Sequence, residues 1–397
     1  MLRWTAQGLT NHLLRSNLQD LVAVRAYDTV LRGLWNDILG VDMTDREWVQ
    51  SCLPLRDGGL TAGVAEPRRE AAHIAAWLDA APRVAAALGA TCAEALLATG
   101  AAGTQGFEAA VVMYNASVGA AHCLQTSLAQ RERHRQKDLV GPRMEVIAGL
   151  AKAGLDHHQR GRLLSAGGPG TGAFTTLPTK PEHRMHPELY RIALRRRLLM
   201  TGAMLLRELE PQTHCAAWRD TIAFATCWPA GLPGRVPAWV QKEQTMPQWQ
   251  RTRRSVMDGV ETARVETAVL DVVWARQGAA KAVDVVVVSP DSTDARKERA
   301  RAEKPSLAAE DTAREKRRRY PPGPTTPLLI PFAIETGGRV GSAARQLILD
   351  HLDRSDGEAG ASADAVAFWH ELSAVLQTAV AEQLFSAHKP PVVGGGR

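Results

Sequence analysis

The chain has 397 residues and a formal charge of +6, so it is long enough for two or three domains with cores of their own. Its five cysteines lack the spacing of a disulfide framework, which argues against a small secreted disulfide-rich protein. No apolar run approaches the length of a membrane span and the N-terminus leads into no signal-peptide core, so we expect an intracellular protein, nuclear or cytoplasmic, with no membrane partner.

The N-terminal part of the chain predicts packed helices. Apolar residues recur at three- and four-residue steps from residue 14 to residue 39, and Gly40 is a typical helix stop. Asp45 begins a short second helix, which ends at a turn over residues 53–60. Alanine-rich sequence from residue 66 to about residue 136 predicts three or four further helices, which we interpret as scaffold.

A Gly-rich loop over residues 165–174 invites comparison with phosphate-binding loops. A Walker loop has Lys and then Ser or Thr after its last glycine, whereas Ala173 and Phe174 stand in those places and no valine-rich strand precedes the loop. We therefore favour an ordinary turn and expect no small-molecule cofactor. A helix predicted from residue 187 to residue 206 then carries the basic run Arg195, Arg196 and Arg197.

Residues 211–254 contain a small group of residues that can bind zinc. A zinc site wants four ligands, usually in two close pairs, and only His214, Cys215 and Cys227 are available locally. Because an adjacent His-Cys pair is poor geometry for a tetrahedral site, these residues do not favour bound zinc.

Two valine-rich runs, residues 265–274 and 283–290, predict a hairpin around Gln277-Gly278, and we expect the second strand to be buried on both faces. Each run carries one aspartate, Asp271 or Asp284. If the strands fold about residues 276–281, residue 275 faces 282 and 271 faces 286, which makes the aspartates diagonal neighbours about 7–8 Å apart at the backbone. Two carboxylates so placed can share a hard divalent cation that keeps open positions for water and a phosphate oxygen.

A basic helical run over residues 294–320 follows the hairpin, and a third apolar run ends at Glu335. Lys316 is our choice for a cation that offsets charge on the phosphate or orients the attacking water. The alternative is that the aspartates are solvated edge residues, that Lys316 is one cation among many on a solvated face, and that Glu335 ends a strand and caps the helix that follows. We predict a helix from residue 342 to residue 352 and a final helix near residues 366–385.

The order of these motifs resembles the C-terminal part of the polyproteins of non-long-terminal-repeat retrotransposons that carry a restriction-like endonuclease after the reverse transcriptase. Three places carry the resemblance. The first is the run Leu-Pro-Leu-Arg-Asp-Gly-Gly-Leu at residues 53–60, with Trp48 before it. The second is the loop at residues 165–174 with Leu177-Pro178-Thr179 and the helix after it. The third is the series Asp271, Asp284, Lys316, Tyr320, Pro331-Phe332 and Glu335-Thr336-Gly337-Gly338-Arg339.

The resemblance implies a PD-(D/E)xK-type fold that uses Mg²⁺, or Mn²⁺ in its place, to nick DNA and prime reverse transcription. Asp271 and Asp284 fall on the family's metal-binding acids. Lys316 falls on its displaced lysine, because Val286 stands two residues after Asp284 where the simplest motif has Lys. Tyr320 and Glu335 fall on positions that accompany this core, and we count them with Lys316 as catalytic candidates.

The chain also departs from the family. No Tyr/Phe-x-Asp-Asp motif occurs in its 397 residues, so we expect no DNA synthesis. Val269-Leu270 precede Asp271 where the family has a basic residue and a proline. Two hypotheses follow: a metal-dependent DNA endonuclease, or an inactive remnant that at most binds DNA or the element's RNA through basic patches.

The predicted fold class is α+β, with a mainly helical N-terminal two-thirds and a small mixed-sheet α/β domain like a restriction endonuclease. We predict a remnant of the region downstream of the polymerase palm at residues 1–60, an alanine-rich helical region at 61–160, a linker with a degenerate Cys/His segment at 161–260, the endonuclease-like domain at 261–353 and a C-terminal helix and tail at 364–397. The expected nucleic-acid contacts come from arginines, whose phosphate binding carries no sequence preference: Arg195, Arg196, Arg197, Arg314, Arg317, Arg318 and Arg319.

Overall fold

The computed structural model describes residues 10–16, 18, 20–87, 104–124, 136–176, 184–200, 239–257, 260–276, 279–324, 326–352 and 363–387. These residues form an α+β protein in which helices dominate and one four-stranded sheet lies towards the C-terminus. The chain divides into two compact units, the first made of Met1–Pro54 and Gly59–Leu155, the second of Leu55–Gly58 and Asp156–Arg397. None of the helices in the described residues combines the length and the hydropathy that a bilayer crossing needs.

The first unit consists of helices, as the apolar periodicity predicts. Gly40 ends the first helix in the left-handed conformation, with φ of 68°, and is the stop expected from the sequence. Thr44 and Glu47 form a capping box at the start of the second helix. The main described helices of this unit are α1 (Leu21–Leu39), α2 (Asp45–Cys52), α3 (Arg69–Ala87), α4 (Thr104–Ser117) and α5 (Gln136–Lys152). Residues 10–16 are also helical, and the apolar stripe from residue 14 to residue 39 is interrupted at Asp20, which precedes α1.

The glycine pair in residues 53–60 has a physical reason. A Cβ atom at Gly59 would lie 2.1 Å from the carbonyl oxygen of Leu53, and Gly58 has a φ of 87°. The predicted turn is therefore present, and at both positions a side chain would be strained or would clash.

The second unit combines helices with a mixed sheet. Its elements are α6 (His157–Ala166), α7 (Pro187–Arg197), β1 (Trp239–Met257), β2 (Val260–Arg276), β3 (Ala279–Val288), α8 (Ala295–Glu303), α9 (Leu307–Arg319), β4 (Leu328–Glu335), α10 (Ser342–Leu352) and α11 (Ala363–Ala387). The strands lie in the order β1-β2-β3-β4. The first three are antiparallel neighbours and β4 runs parallel to β3.

Different helices cover the two faces of β3 and β4. On one face Val283, Val285 and Phe332 belong to a buried cluster with residues of α7, α10 and α11. On the other face small residues of α9, Ala309 and Ala313, pack against the β3–β4 surface. The expectation that the second valine-rich strand is buried on both faces is confirmed for residues 282–285, which are all 8% exposed or less, whereas residues 286–289 are only partly buried.

The hairpin register differs from the predicted one. Ala275 pairs with Ala280 and Arg276 with Ala279, so the strands are offset by two residues from the predicted pairing of 275 with 282. The pairing therefore continues to Arg276 and Ala279, closer to the turn than we assumed, and residues 277–278 lie outside the described part of the chain. An offset of two leaves each side chain on its expected face, because side chains alternate with a period of two.

Two helical predictions also need correction. The helix predicted to reach residue 206 ends at Arg197, and Leu199 has a positive φ of 57°. The basic run over residues 294–320 forms two helices, α8 and α9, because Ser306 between them adopts a φ of 66° that no continuous helix allows.

The sheet begins upstream of residue 261, where we predicted its domain to start. β1 occupies the stretch that we interpreted as a degenerate Cys/His linker, and the compact unit that contains it starts at Asp156. The β1–β2 register shifts between Met246 and Gln250, around Pro247, which has no N–H group for the ladder. His214, Cys215 and Cys227 lie outside the described residues.

The Gly-rich loop after α6 is filled by protein side chains. A Cβ atom at Gly167 would lie 2.7 Å from Nη2 of Arg339, and one at Gly170 would lie 2.1 Å from the ring of Trp369. Arg339 Nε donates a hydrogen bond of 2.5 Å to the carbonyl of Leu164. The glycines thus allow the close approach of two large side chains, as expected of a packed turn.

Candidate active site

Asp284 is a buried carboxylate in the middle of the sheet. It stands on β3, which pairs with β2 on one edge and with β4 on the other, and it is 2% exposed. Its register partner on β4 is Pro331. A charge in this position needs a partner, because burying an unpaired carboxylate is costly.

Lys316 supplies that partner. Its Nζ lies 2.7 Å from Oδ2 of Asp284, and the two side chains are 18% and 4% exposed. Lys316 is on α9, whose alanines let the helix approach the sheet closely. The structure therefore brings together an acidic and a basic side chain that are far apart in the sequence.

Asp271 lies beside this pair and is 6% exposed. The β2–β3 pairing ends at Val272 opposite Val283, and one further step of the same register would set Asp271 opposite Asp284, on the same face. Asp271 Oδ2 accepts a hydrogen bond of 2.7 Å from the backbone N–H of Val285. Its carboxylate thus takes the place of a backbone acceptor just beyond the last β2–β3 pair.

Glu335 lies at the other end of α9. Its Oε1 accepts hydrogen bonds of 3.2 and 3.4 Å from the backbone N–H groups of Ala308 and Ala309, in the first turn of the helix. Ala308 and Lys316 are more than two helical turns apart, about 12 Å along the axis. Burial raises the pKa of Glu335, opposed by a hydrogen bond from Ser165, by the two backbone bonds and by the charge of Arg339. The structure thus separates Glu335 from the Asp284–Lys316 pair.

Tyr320 follows α9 and is buried among apolar groups. Its ring centroid lies 5.3 Å from that of Trp249, and the guanidinium of Arg319 lies 5.3 Å from it. The same cluster contains Leu270 and Val273 of β2. The ring therefore fastens the end of α9 to β1 and β2, since Trp249 Nε1 also donates to the carbonyl of Pro321 at 3.0 Å.

The predicted arginines fall into two groups. Arg197 Nη1 and Nη2 donate to the carbonyls of Thr171 and Leu55 at 3.2 and 2.5 Å, and Arg196 Nη1 donates to Thr336 at 2.7 Å. Burial lowers the pKa of Arg197 to about 9 and that of Arg196 to about 10. These two side chains fix internal backbone and are not exposed phosphate contacts, which corrects their predicted role. Arg195, on the same helix, is partly buried. The exposed arginines of the predicted set are those of α9: Arg314, Arg317, Arg318 and Arg319.

Asp271 and Asp284 are the carboxylates that the sequence predicts as ligands of a divalent cation. Among the described residues, no group of three or more His, Cys, Asp and Glu side chains is arranged to hold a metal ion. Asp271 and Asp284 offer carboxylate oxygens, which Mg²⁺ prefers, and Mg²⁺ commonly completes its coordination with waters and substrate phosphates.

The sequence analysis did not identify two residues that shape this site, Ser165 and Trp249. Ser165 Oγ accepts the N–H of Gly337 at 3.1 Å and bonds to Glu335. Trp249 lies in the stretch predicted as a linker; it shares a buried cluster with Met246, but their spacing of three residues does not fit the alternation of a regular strand.

Comparison with known proteins gives no independent identification. No protein-family model matches the sequence, and no curated protein matches it either.

Proposed function

We propose that the second unit is a metal-dependent DNA endonuclease domain derived from a retrotransposon polyprotein, with Asp284 and Lys316 at its centre. The observation that carries the proposal is the contact of 2.7 Å between these two largely buried groups, which come from a central strand and a covering helix. The order of the sequence motifs and the mixed sheet with helices on both faces support a PD-(D/E)xK-type fold.

The chemistry would combine a cation with the charges of the chain. A bound Mg²⁺ supplies Lewis-acid polarisation of the scissile phosphate and lowers the pKa of a water. Asp284 and Asp271 would hold it with their carboxylates. Lys316, oriented by Asp284, would present its ammonium group to the phosphate oxygens on which negative charge increases in the transition state.

The exposed arginines would hold the DNA backbone beside this centre. Arg317, Arg318 and Arg319 occupy the last turn of α9, the turn that also carries Lys316. Their contacts with phosphates carry no sequence information and weaken with salt. Arg196 and Arg197 take no part, because their guanidinium groups are bonded to internal carbonyls.

An inactive nucleic-acid-binding remnant is the second candidate, and one observation favours it. Asp271 accepts the N–H of Val285 and Asp284 contacts Lys316, so both carboxylates have partners within the protein. Ion pairs of this kind also occur as structural features without catalysis. In this case the arginines of α9 would bind polyanions and no bond would be cleaved.

Nicking of supercoiled plasmid in Mg²⁺ or Mn²⁺ separates the two candidates. We expect wild type to nick and Asp284→Asn and Lys316→Met each to lose about 100-fold or more in rate. Each single change leaves an uncompensated buried charge that destabilises the fold. The double variant Asp284→Asn/Lys316→Met therefore serves as the folded, inactive reference, and Glu315→Gln on the exposed face of α9 is the control for charge.

Two results would decide against the endonuclease. Folded wild type that binds plasmid without nicking it in either metal supports the remnant. Nicking by Asp284→Asn at the wild-type rate would show that Asp284 is not part of the catalytic site.

A further inference from the structure

We infer that Glu335 is a positioning residue, which acts through α9 to set Lys316 against Asp284. The inference rests on the proposed function for its catalytic consequence, although its structural part can be tested without any activity. Glu335 touches neither member of the pair, so any effect on the reaction must pass through the helix between them.

The start of α9 lacks a side-chain cap of its own. Ser306 occupies the N-cap position with a φ of 66° and makes no side-chain cap hydrogen bond. The first backbone N–H groups of a helix have no partner within the helix and must find one elsewhere. Glu335 provides it from β4, by accepting from both Ala308 and Ala309.

This cap fixes the helix relative to the sheet. Glu335 is the register partner of Val288 on β3, the strand that also carries Asp284. The N-terminal end of α9 is thus tied to the sheet by a buried carboxylate, which also interacts favourably with the helix dipole. The next turns contact the sheet through Ala309 and Ala313, which have short side chains and so hold the helix in place less rigidly than interlocking large residues would.

Lys316 is the residue that benefits from this restraint. A long flexible side chain gains a fixed position for its charge only if its own backbone is fixed. With the cap in place, the helix axis sets the distance between the Lys316 backbone and Asp284. Without it, the first turn can fray and the N-terminal part of the helix can move relative to the sheet, while Tyr320 holds the other end.

A double-mutant cycle measures the consequence on folding alone. The coupling between Asp284→Asn and Lys316→Met would be determined from urea unfolding in the wild-type, Glu335→Gln and Glu335→Leu backgrounds. Glutamine keeps an Oε1 acceptor for both N–H groups, whereas leucine removes it at similar volume. We expect the coupling to be about tenfold in the unfolding constant for wild type and Glu335→Gln, and about threefold or less for Glu335→Leu.

The catalytic readout uses the same variants. In plasmid nicking, Glu335→Leu should lower kcat more than it raises KM. The arginines of α9 make exposed contacts with phosphates that tolerate a small displacement, whereas the position of Lys316 against Asp284 does not. Glu335→Gln should recover most of the loss in kcat. Glu315→Gln, on the same helix, controls for the change of charge.

The inference is overturned if the coupling persists undiminished in Glu335→Leu, or if Glu335→Gln is as damaging as Glu335→Leu. The second result would show that the negative charge or a proton of Glu335, and not its hydrogen-bond acceptor oxygen, maintains the coupling. If the leucine variant fails to fold, the glutamine background still decides, since loss of coupling there contradicts the inference. A wild-type protein without nicking activity would refute the proposed endonuclease and leave the coupling result to stand by itself.

Discussion

At the scale of single residues, the carboxylates of the site have distinct partners. Asp284 faces a lysine, Asp271 accepts the N–H of Val285, and Glu335 caps a helix. Residue type alone cannot distinguish these roles, because all three acids sit in similar apolar surroundings in the sequence. The difference arises from which backbone group or charge the tertiary fold brings near.

Asp271 offers a direct test of its hydrogen bond with Val285. Asp271→Asn keeps an oxygen acceptor for Val285, whereas Asp271→Leu leaves a buried N–H group without one. We expect Asp271→Leu to lose about 1–3 kcal/mol in the free energy of unfolding by urea, and Asp271→Asn to lose clearly less. Equal losses for the two variants would show that the hydrogen bond from Val285 is not what Asp271 contributes.

His73 predicts a pH dependence of stability in the first unit. It is 4% exposed, and neither ring nitrogen has a hydrogen-bond partner among the described residues. Burial, with a smaller effect from Arg69, lowers its pKa in the folded state. The unfolded chain then binds the extra proton more readily, so stability should fall as the pH drops below about 6.5.

The measurement is urea unfolding at a series of pH values. His73→Leu should flatten the loss of stability on the acid side, whereas His122→Leu, which removes a more exposed histidine, should leave it in place. An unchanged profile in His73→Leu would assign the acid sensitivity to other groups.

At the scale of elements, the apolar strands β2 and β3 could be predicted from the sequence, whereas the register in which they pair could not. The valine-rich runs of β2 and β3 predict strands from their own composition, and the faces of their side chains follow from alternation. The pairing depends on the length of the turn, so assuming a loop longer than the one present shifted every pair by two residues. β1 was missed because its sequence is polar and contains Pro247, and its pairing with β2 is what makes it a strand.

The two arginine runs show the same limit. Sequence makes Arg195–Arg197 and Arg317–Arg319 equivalent, because both are clusters in the last turn of a helix, where cations are favourable. Only tertiary packing decides that Arg197 is 4% exposed while the arginines of α9 stay in solvent.

This contrast gives a prediction for paired variants. Arg197→Met should lose about 1–3 kcal/mol of stability, because it removes the two hydrogen bonds that the buried Arg197 donates to the carbonyls of Thr171 and Leu55. It should not change the salt dependence of DNA binding. Arg317→Gln/Arg318→Gln should leave stability unchanged and reduce the slope of log K against log salt by about two. Fluorescence anisotropy with a labelled duplex measures the slope, with Arg191→Gln as the control. A slope unchanged by the double variant would exclude α9 from the DNA-binding surface.

At the scale of the whole molecule, the α+β composition follows from the periodicities, whereas the division into units does not. The second unit takes Leu55–Gly58 from within the sequence of the first. The carbonyls of Leu55 and Arg56 accept hydrogen bonds from Arg197 and from the N–H of Gly168. Boundaries predicted as continuous segments of sequence cannot assign residues 55–58 to a unit whose other residues start at Asp156.

Two glycines test this division. A Cβ atom at Gly58 would lie 2.8 Å from Leu163 Cδ1 in a backbone with φ of 87°, whereas one at Gly33 in α1 would meet nothing within 4 Å. We expect Gly58→Ala to destabilise the second unit by about 1–3 kcal/mol, and Gly33→Ala to stabilise the first by about 1 kcal/mol. Hydrogen exchange read separately from α1 and from β3 distinguishes the units. If Gly58→Ala lowered the protection of α1 alone, Gly58 would belong to the first unit and the division would be wrong.

The segment Leu55–Gly58 also sets an order of assembly during synthesis. It leaves the ribosome well before α6, so it can pack into the second unit only after residues 59–155 have been synthesised. Proteolysis after Leu155 would therefore not release the second unit complete, because its segment Leu55–Gly58 would remain in the N-terminal fragment.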